Sequence, residues 1–362
     1  MFAGAVLLIA LGAGAALVLV PSPSRDTADT TSSTISDSTT STTAPLSQIT
    51  FTAAGDLMLG YQGSLPPNPA ALLNPVRSLL HAPIEFANLE GTLSNGGPSK
   101  CGPSSTACYA FRAPPGDARV YADAGFNVLN SANNHSHDFG ESGVVETTAA
   151  LRAAGIAQTG LPGQIAVVRD GDTRVAFVGF APYSNTNDFL NLPAAAVLLR
   201  QAHRVADLVV VYMHAGAEGS AATHVTRSTE TFYGENRGNP YFFAHFVVDR
   251  GADVVLASGP HVLRGMEWYH GHLIAYSLGD FVNYRNFDTG GLVGLSGILR
   301  VRLNSDGSFV SGNFASLTLN ASGTAYPDAH AQAAREVNRL SQQDFHGAAA
   351  LIRGDGSLAP PR

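Results

Sequence analysis

Residues 208–214 read Leu-Val-Val-Val-Tyr-Met-His, and Ala-Gly-Ala-Glu follows at 215–218. So apolar and β-branched a run reads as a strand, and it ends on a histidine. Upstream, residues 194–205 carry a helical pattern. Downstream, residues 240–250 carry another, and a second apolar run, 254–257, leads into Ser258-Gly259-Pro260-His261. Strands alternating with helices predict an α/β domain with a largely parallel sheet. His214 is then either a satisfied core histidine or part of a site at the carboxyl edge of that sheet, where ligands bind.

The alternation extends outward. Apolar runs at 49–54, 84–89, 127–131, 165–168, 175–181 and 273–277 predict strands. Helical patterns cover 117–124 and 141–154. The second places Val144, Val145, Thr148 and Leu151 on one stripe, with Gly155 as the stop. Beyond about residue 290, runs 298–303 and 309–319 read as an antiparallel pair around Asn304-Ser305-Asp306-Gly307.

The chain has 362 residues, 45% of them apolar and 14% charged, with a formal net charge of −7. That supplies a sizeable core. Without any basic run, it argues against a nucleic-acid binder that relies on phosphate attraction. Lys100 is the sole lysine. Residues 2–20 are apolar or glycine without a break, long enough to span a bilayer. Residues 1–21 are therefore read as an uncleaved transmembrane anchor, with a cleaved secretory signal as the alternative. Ser and Thr dominate residues 22–47, which predicts a solvated tether. Residues 48–325 form the predicted domain, and 326–362 a C-terminal helix and tail. Cys101 and Cys108 lie in a Gly/Pro/Ser loop, either joined in a small disulfide loop or free.

Residues able to hold a metal follow strand after strand. They are Asp56 in Gly-Asp-Leu-Met-Leu-Gly (55–60), Glu90 in Asn-Leu-Glu-Gly (88–91), Asn134 in Asn-Asn-His-Ser-His-Asp (133–138), then His214 and His261. Each alone has an ordinary structural explanation. Five such strand ends predict one shared site. Carboxylate, amide and imidazole ligands suit one or two divalent ions such as Mn, Zn or Fe. His135 is the candidate proton donor to a leaving group, oriented by Asp138. Arg264 and Glu267, close after His261, are candidates for holding a substrate group, as is Asp280 in Ser-Leu-Gly-Asp-Phe (277–281).

These motifs, in this order, resemble the CapA family of poly-γ-glutamate capsule-synthesis proteins, themselves similar to calcineurin-like metallophosphoesterases. The resemblance spans about residues 48–325. It implies a four-layer αββα metallophosphoesterase-like sandwich. It also implies a single-pass, membrane-anchored protein whose domain lies outside the cytoplasm. Its partners would be an anionic envelope polymer or a phosphoester substrate, and membrane-embedded biosynthesis proteins. Carried over by position, Asp56, Glu90, Asn134, His214 and His261 match metal ligands and His135 matches the catalytic histidine. Two departures stand out: Met58 and Ser258 occupy places where phosphoesterases carry histidine. The resulting expectation is a metal-dependent hydrolase. The alternative is a non-catalytic polymer-binding or export factor on the same scaffold.

Overall fold

The computed structural model describes residues 46–61, 63–102, 108–285 and 289–360. The anchor or signal read at 1–21, and all of the tether but its last two residues, lie outside them. Among the described residues no helix is long and apolar enough to cross a membrane.

Two mixed sheets form the centre. In the first, the parallel strands Gln48–Met58, Ile84–Leu89, Val128–Asn130 and Ala157–Thr159 lie side by side. Leu295–Asn304 runs antiparallel to Gln48–Met58 on its other flank, and Phe309–Leu319 pairs with that strand in turn. In the second, Thr173–Phe180, Leu208–His214, Val254–Ser258 and His272–Ala275 are parallel neighbours. Antiparallel Ala166–Asp170 and Met266–Tyr269 lie at the two edges.

The period-two alternation of these strands builds three apolar layers. Along Leu208–His214, residues Leu208, Val210 and Tyr212 face the first sheet. Val209, Val211 and Met213 face away, under helices Leu192–Val205 and Pro240–Val248. In the first sheet, Ile84 and Phe86 turn inward. Ala87 and Leu89 pack outward with Tyr121, Ala150 and Leu151 of helices Ala118–Ala124 and Gly140–Ala153. Helix, sheet, sheet, helix is thus the layer order. Phe177 ties the two sheets together, its ring centroid 5.2 Å from Phe86 and 6.0 Å from Phe51.

Two expectations shift. In helix Gly140–Ala153 the buried stripe is Gly143, Val144, Thr147, Ala150 and Leu151, while Val145 faces solvent. Thr147 belongs inside because its hydroxyl serves the Leu93 N–H at 2.8 Å and the Gly143 carbonyl at 2.7 Å. The segment from Gln332 to Ala359 belongs to the fold. Helix Gln332–Phe345 places Ala333, Ala334 and Val337 in the core between the sheets, and Ser357–Ala359 pairs with Phe309–Leu319. The domain boundary read at 325 therefore moves at least to Ala359. Cys101 and Cys108 are joined as a disulfide.

Glu85, at the buried start of its strand, has one carboxylate oxygen on the Ala82 N–H (3.1 Å) and the other without a hydrogen-bond partner. Burial pushes its carboxyl up to about 7, and the Ala82 contact and the Arg300 charge offset only part of this. The folded state therefore loses stability as pH rises from the ordinary carboxylate range through 7, because the unfolded chain ionises first. Below that range there is no effect. Glu85→Gln, which cannot ionise, is expected to be more stable than the parent by about 1 kcal/mol above pH 7 and equal to it in acid. Melting temperatures across pH check this.

Candidate metal centre

The alternation that fills the core also aims the site. Asn88 shares the inward face with Ile84 and Phe86, and Asn130 shares it with Val128. His214 and Ser258 continue the inward faces of their strands and lie opposite each other in register. A register shift between Ala53 and Asp56 breaks the alternation of the first strand, as a bulge does. Gly55 is required there. A Cβ at that position would lie 1.8 Å from the Gly279 carbonyl, to which the Asp56 N–H donates at 3.0 Å. Polar groups from the carboxyl ends of both sheets therefore close one end of the inter-sheet core.

Asp56, Glu90 and His214 each offer a ligand atom within 4.8 Å of one another. So do Asp56, His261 and Asp280, and all five side chains are buried. Asp56 belongs to both groups. His214 Nδ1 lies 3.6 Å from Glu90 Oε2 and 4.0 Å from Asp56 Oδ1. His261 adopts a left-handed conformation (φ 57°), which directs Nδ1 to Asp280 Oδ1 at 2.8 Å and Asp56 Oδ2 at 3.2 Å. Asn134 and His135 line a cavity of about 410 Å³ together with His261, Glu218, Arg237 and Tyr233. His135 Nδ1 meets Asp138 Oδ2 at 2.8 Å, and its Nε2 lies 3.9 Å from Glu90 Oε1.

The electrostatics follow from crowding. Burial pushes the Glu90 carboxyl well above its usual range, and the Asp56 charge beside it pushes the same way. Burial also works against Asp56, yet the hydrogen bond from His261 and the charges of His214 and His261 hold it below the ordinary value. For His214, burial wins and drives the imidazole well below its ordinary value. For His261, burial opposes the charge, but the Asp280 carboxylate and the Asp56 contact hold it well above. Burial raises Asp280.

The donor set fits a divalent ion. Glu90 Oε1 and Asn134 Oδ1 are buried oxygens without a hydrogen-bond partner. Such atoms are costly unless a cation or water meets them. Three buried carboxylates and two imidazoles, with Asp56 common to both groups, match a hard or borderline metal.

Several sequence-predicted residues stand elsewhere. Arg264 is fully buried, its guanidinium on Glu230 at 2.7 and 3.1 Å and on the Ala222 carbonyl at 2.7 Å. Glu267 is buried against His245 (3.0 Å) and the Tyr276 hydroxyl (2.8 Å). Neither lines the cavity, so the reading of both as substrate contacts is corrected: their polar atoms are already engaged inside the fold. Asp280 is corrected likewise, from a substrate contact to a buried partner of His261 and Asn283. Ser258 donates to Asp56 Oδ1 and meets the Tyr212 hydroxyl.

Other residues carry the site without having been singled out. Asn88 donates to Asp56 Oδ1 (2.7 Å) and to Glu90, and accepts from Asn130 (2.6 Å) and Asn133 (3.0 Å). The inward alternation of strands 84–89 and 127–131 is the sequence signal that points to Asn88 and Asn130. Arg237, from the polar insertion at 219–239, pairs with Glu218 at 3.0 Å and lies 3.5 Å from His214 Nε2. Nothing in its local sequence marks it.

Fold and site together define a mixed α/β protein with a buried carboxylate–imidazole centre at the facing edges of two sheets. The family model described as bacterial capsule synthesis protein PGA_cap matches residues 50–285, and the chain belongs to that family. It is 31% identical over 189 residues to the PGA biosynthesis protein CapA of Bacillus subtilis (strain 168), covering 48% of this chain and 45% of that protein. It is 32% identical over 199 residues to the capsule biosynthesis protein CapA of Bacillus anthracis, covering 48% and 43%. The chain thus spans about half the length of the curated relatives it matches. Among solved structures it is similar to a 5'-nucleotidase precursor from Thermus thermophilus (TM-score 0.41, 13% identity, 82% of this chain and 59% of that one). It is also similar to the purple acid phosphatase PPD1 of yellow lupin (TM-score 0.39, 8% identity, 78% and 53%).

Proposed function

We propose that this chain is a metal-dependent hydrolase held at the outer face of the cell membrane by its N-terminal segment. There it acts on an anionic envelope polymer or a phosphoester during capsule or poly-γ-glutamate assembly, alongside membrane-embedded biosynthesis partners. The observation that carries this reading is the sharing of Asp56 between two buried ligand groups. Asp56, Glu90, His214, Asn134 and His261 would hold the ion or ions, with Asp280 behind His261. A divalent Mn, Zn or Fe ion there supplies Lewis acidity toward a phosphoryl or carbonyl oxygen and toward water.

The remaining work falls to the chain itself. Asp138 takes His135 Nδ1, which leaves Nε2 toward Glu90 and the cavity. From there His135 hands a proton to the leaving oxygen, and Asp138 keeps the ring oriented. Asn130 and Asn133 fix the Asn88 amide, whose N–H groups hold Asp56 and Glu90 in place. His135→Ala is expected to retain metal and lose about 10²–10⁴ in turnover, the usual worth of a positioned acid. Metal analysis of the purified full chain, with a screen of phosphomonoesters, phosphodiesters and poly-γ-glutamate, tests the reading. A chain that neither retains nor takes up a divalent ion sinks it.

A second reading rests on the hydrogen bonds of Ser258, Asn88 and His261 to the carboxylates, which satisfy much of the centre from within. On that reading the scaffold binds or guides the polymer without cleaving it. Polymer binding would then survive His135→Ala, and full capsule rescue by a ligand variant would favour it.

A further inference from the structure

Lys100 is the chain's sole lysine, against 20 arginines, and it stands in the cavity wall. Its ammonium makes an ion pair with Asp138 Oδ1 at 2.7 Å, donates to the Asn134 carbonyl at 3.2 Å and lies 3.4 Å from His135 Nδ1. Its backbone N–H donates to the Asp138 carbonyl at 2.7 Å. One residue therefore contacts Asn134, His135 and Asp138 at once. The Asp138 carboxylate is buried and divided. Oδ1 faces Lys100, while Oδ2 takes both His135 Nδ1 and the Phe111 N–H, the latter at 2.6 Å.

The two segments that grip Asp138 are joined covalently. Cys101 follows Lys100 directly, Cys108 lies three residues before Phe111, and the two cysteines form the disulfide. The Phe111 ring also lies against His135, centroids 4.1 Å apart. Both grips on the carboxylate thus lead within a few residues to the same S–S bond. A point-charge donor on a flexible stem needs such a fixed base to hold one geometry. A guanidinium, which is larger and planar, is not an equivalent donor at a contact shared among a carbonyl, an imidazole and one carboxylate oxygen.

The geometry points to Lys100 as a positioning residue for the His135–Asp138 pair, kept in place by the Cys101–Cys108 disulfide. Its link to turnover rests on the reading of His135 as the proton donor; its link to the geometry of the pair does not. A thiol reductant converts the disulfide to two cysteine thiols, itself becoming oxidised. The Lys100 segment is then no longer tied to the Phe111 segment.

The test reads Lys100 directly. The full chain is labelled with an amine-reactive ester, and Lys100 modification is followed by peptide mass spectrometry, with the α-amino group as reference. Labelling is expected to rise about tenfold on reduction with dithiothreitol, in Cys101→Ser/Cys108→Ser and in Asp138→Asn, the scale of one lost charge-assisted contact. The His135 ring N–H resonance should shift in the same direction on reduction and in Lys100→Met, while near-ultraviolet circular dichroism shows both proteins folded. If labelling and the resonance stay the same across the oxidised, reduced and Asp138→Asn proteins, the proposal is overturned. For turnover, Lys100→Met should lower kcat about tenfold with KM little changed, and ethylamine should restore part of it. A KM effect alone, or no rescue, rejects the positioning role. If no substrate is turned over by any version, labelling and resonance still decide the Lys100 geometry, while metal retention decides the hydrolase reading.

Discussion

An Asp56→Asn chain is expected to leave purification without bound metal and to rebind it more than about a hundredfold more weakly than the parent. Loss of outer partners alone costs a metal site about 10–100-fold, and Asp56 stands closer in than that. Its carboxylate belongs to both buried ligand groups, so one substitution disables both. Glu90→Gln and Asp280→Asn each touch a single group. If two ions bind, each of these variants should keep one of them. Elemental analysis of the three purified chains, followed by metal titration, reads the pattern. Asp56→Asn retaining the parental metal content would falsify the shared-ligand arrangement. Asp56→Asn is expected to fold, because Asn88 and Ser258 still hydrogen-bond an amide oxygen at that place, but to lose some stability where the amide nitrogen replaces the oxygen that His261 Nδ1 meets at 3.2 Å.

The largest effect on stability is expected at a buried pair outside the cavity wall. Arg264 and Glu230 form a buried, two-pronged ion pair, and Glu230 also accepts the Ala217 N–H at 2.8 Å. The backbone passes so close at Gly216 (φ 97°) that a Cβ there would lie 2.8 Å from Arg264 Nη1. Arg264→Met removes the cation and strands the carboxylate, a change that costs about 3–5 kcal/mol when a buried pair is broken. For a domain of this size that is roughly 5–8 °C in melting temperature. Arg264→Met/Glu230→Leu should recover much of the loss, since an apolar pair of similar volume often replaces a buried ion pair at little cost. A loss under about 1 kcal/mol for the single variant would show that water reaches Glu230.

The strand ends were legible because the site uses the same alternation as the core. A polar residue that continues the inward face of an apolar strand announces itself, as His214 does after Tyr212. Glu90, Asn134 and His261 stand out by following such strands within a few residues. Arg264 misled because sequence proximity to His261 says nothing of direction. Its side chain runs into the fold to meet Glu230, 34 residues upstream. Arg237 and Lys100 escaped notice as site residues for a related reason. Each reaches the cavity from a segment without strand or helix periodicity, and only the assembled loops bring them to His214 and Asp138. The C-terminal segment was underrated because Leu351–Ile352 and Ser357–Ala359 are too short to show a period. Long-range pairing, not local preference, makes them strands.

The way Leu295–Asn304, Phe309–Leu319 and Ser357–Ala359 enter the fold sets an order of events during synthesis. Gln48–Met58 pairs with Leu295–Asn304, which pairs with Phe309–Leu319, which in turn waits for Ser357–Ala359. A nascent polypeptide emerging from its amino end therefore pairs Gln48–Met58 with Ile84–Leu89 early, and the other flank stays bare until Leu295–Asn304 is made. The layer between the sheets stays open until Ala333, Val337, Ile352 and Leu358 are released. Such non-local closure is slow and leaves strand edges bare in the meantime. The two ligand groups around Asp56 are complete only once Asp280 has emerged, so a product terminated before it should carry no working copy of them.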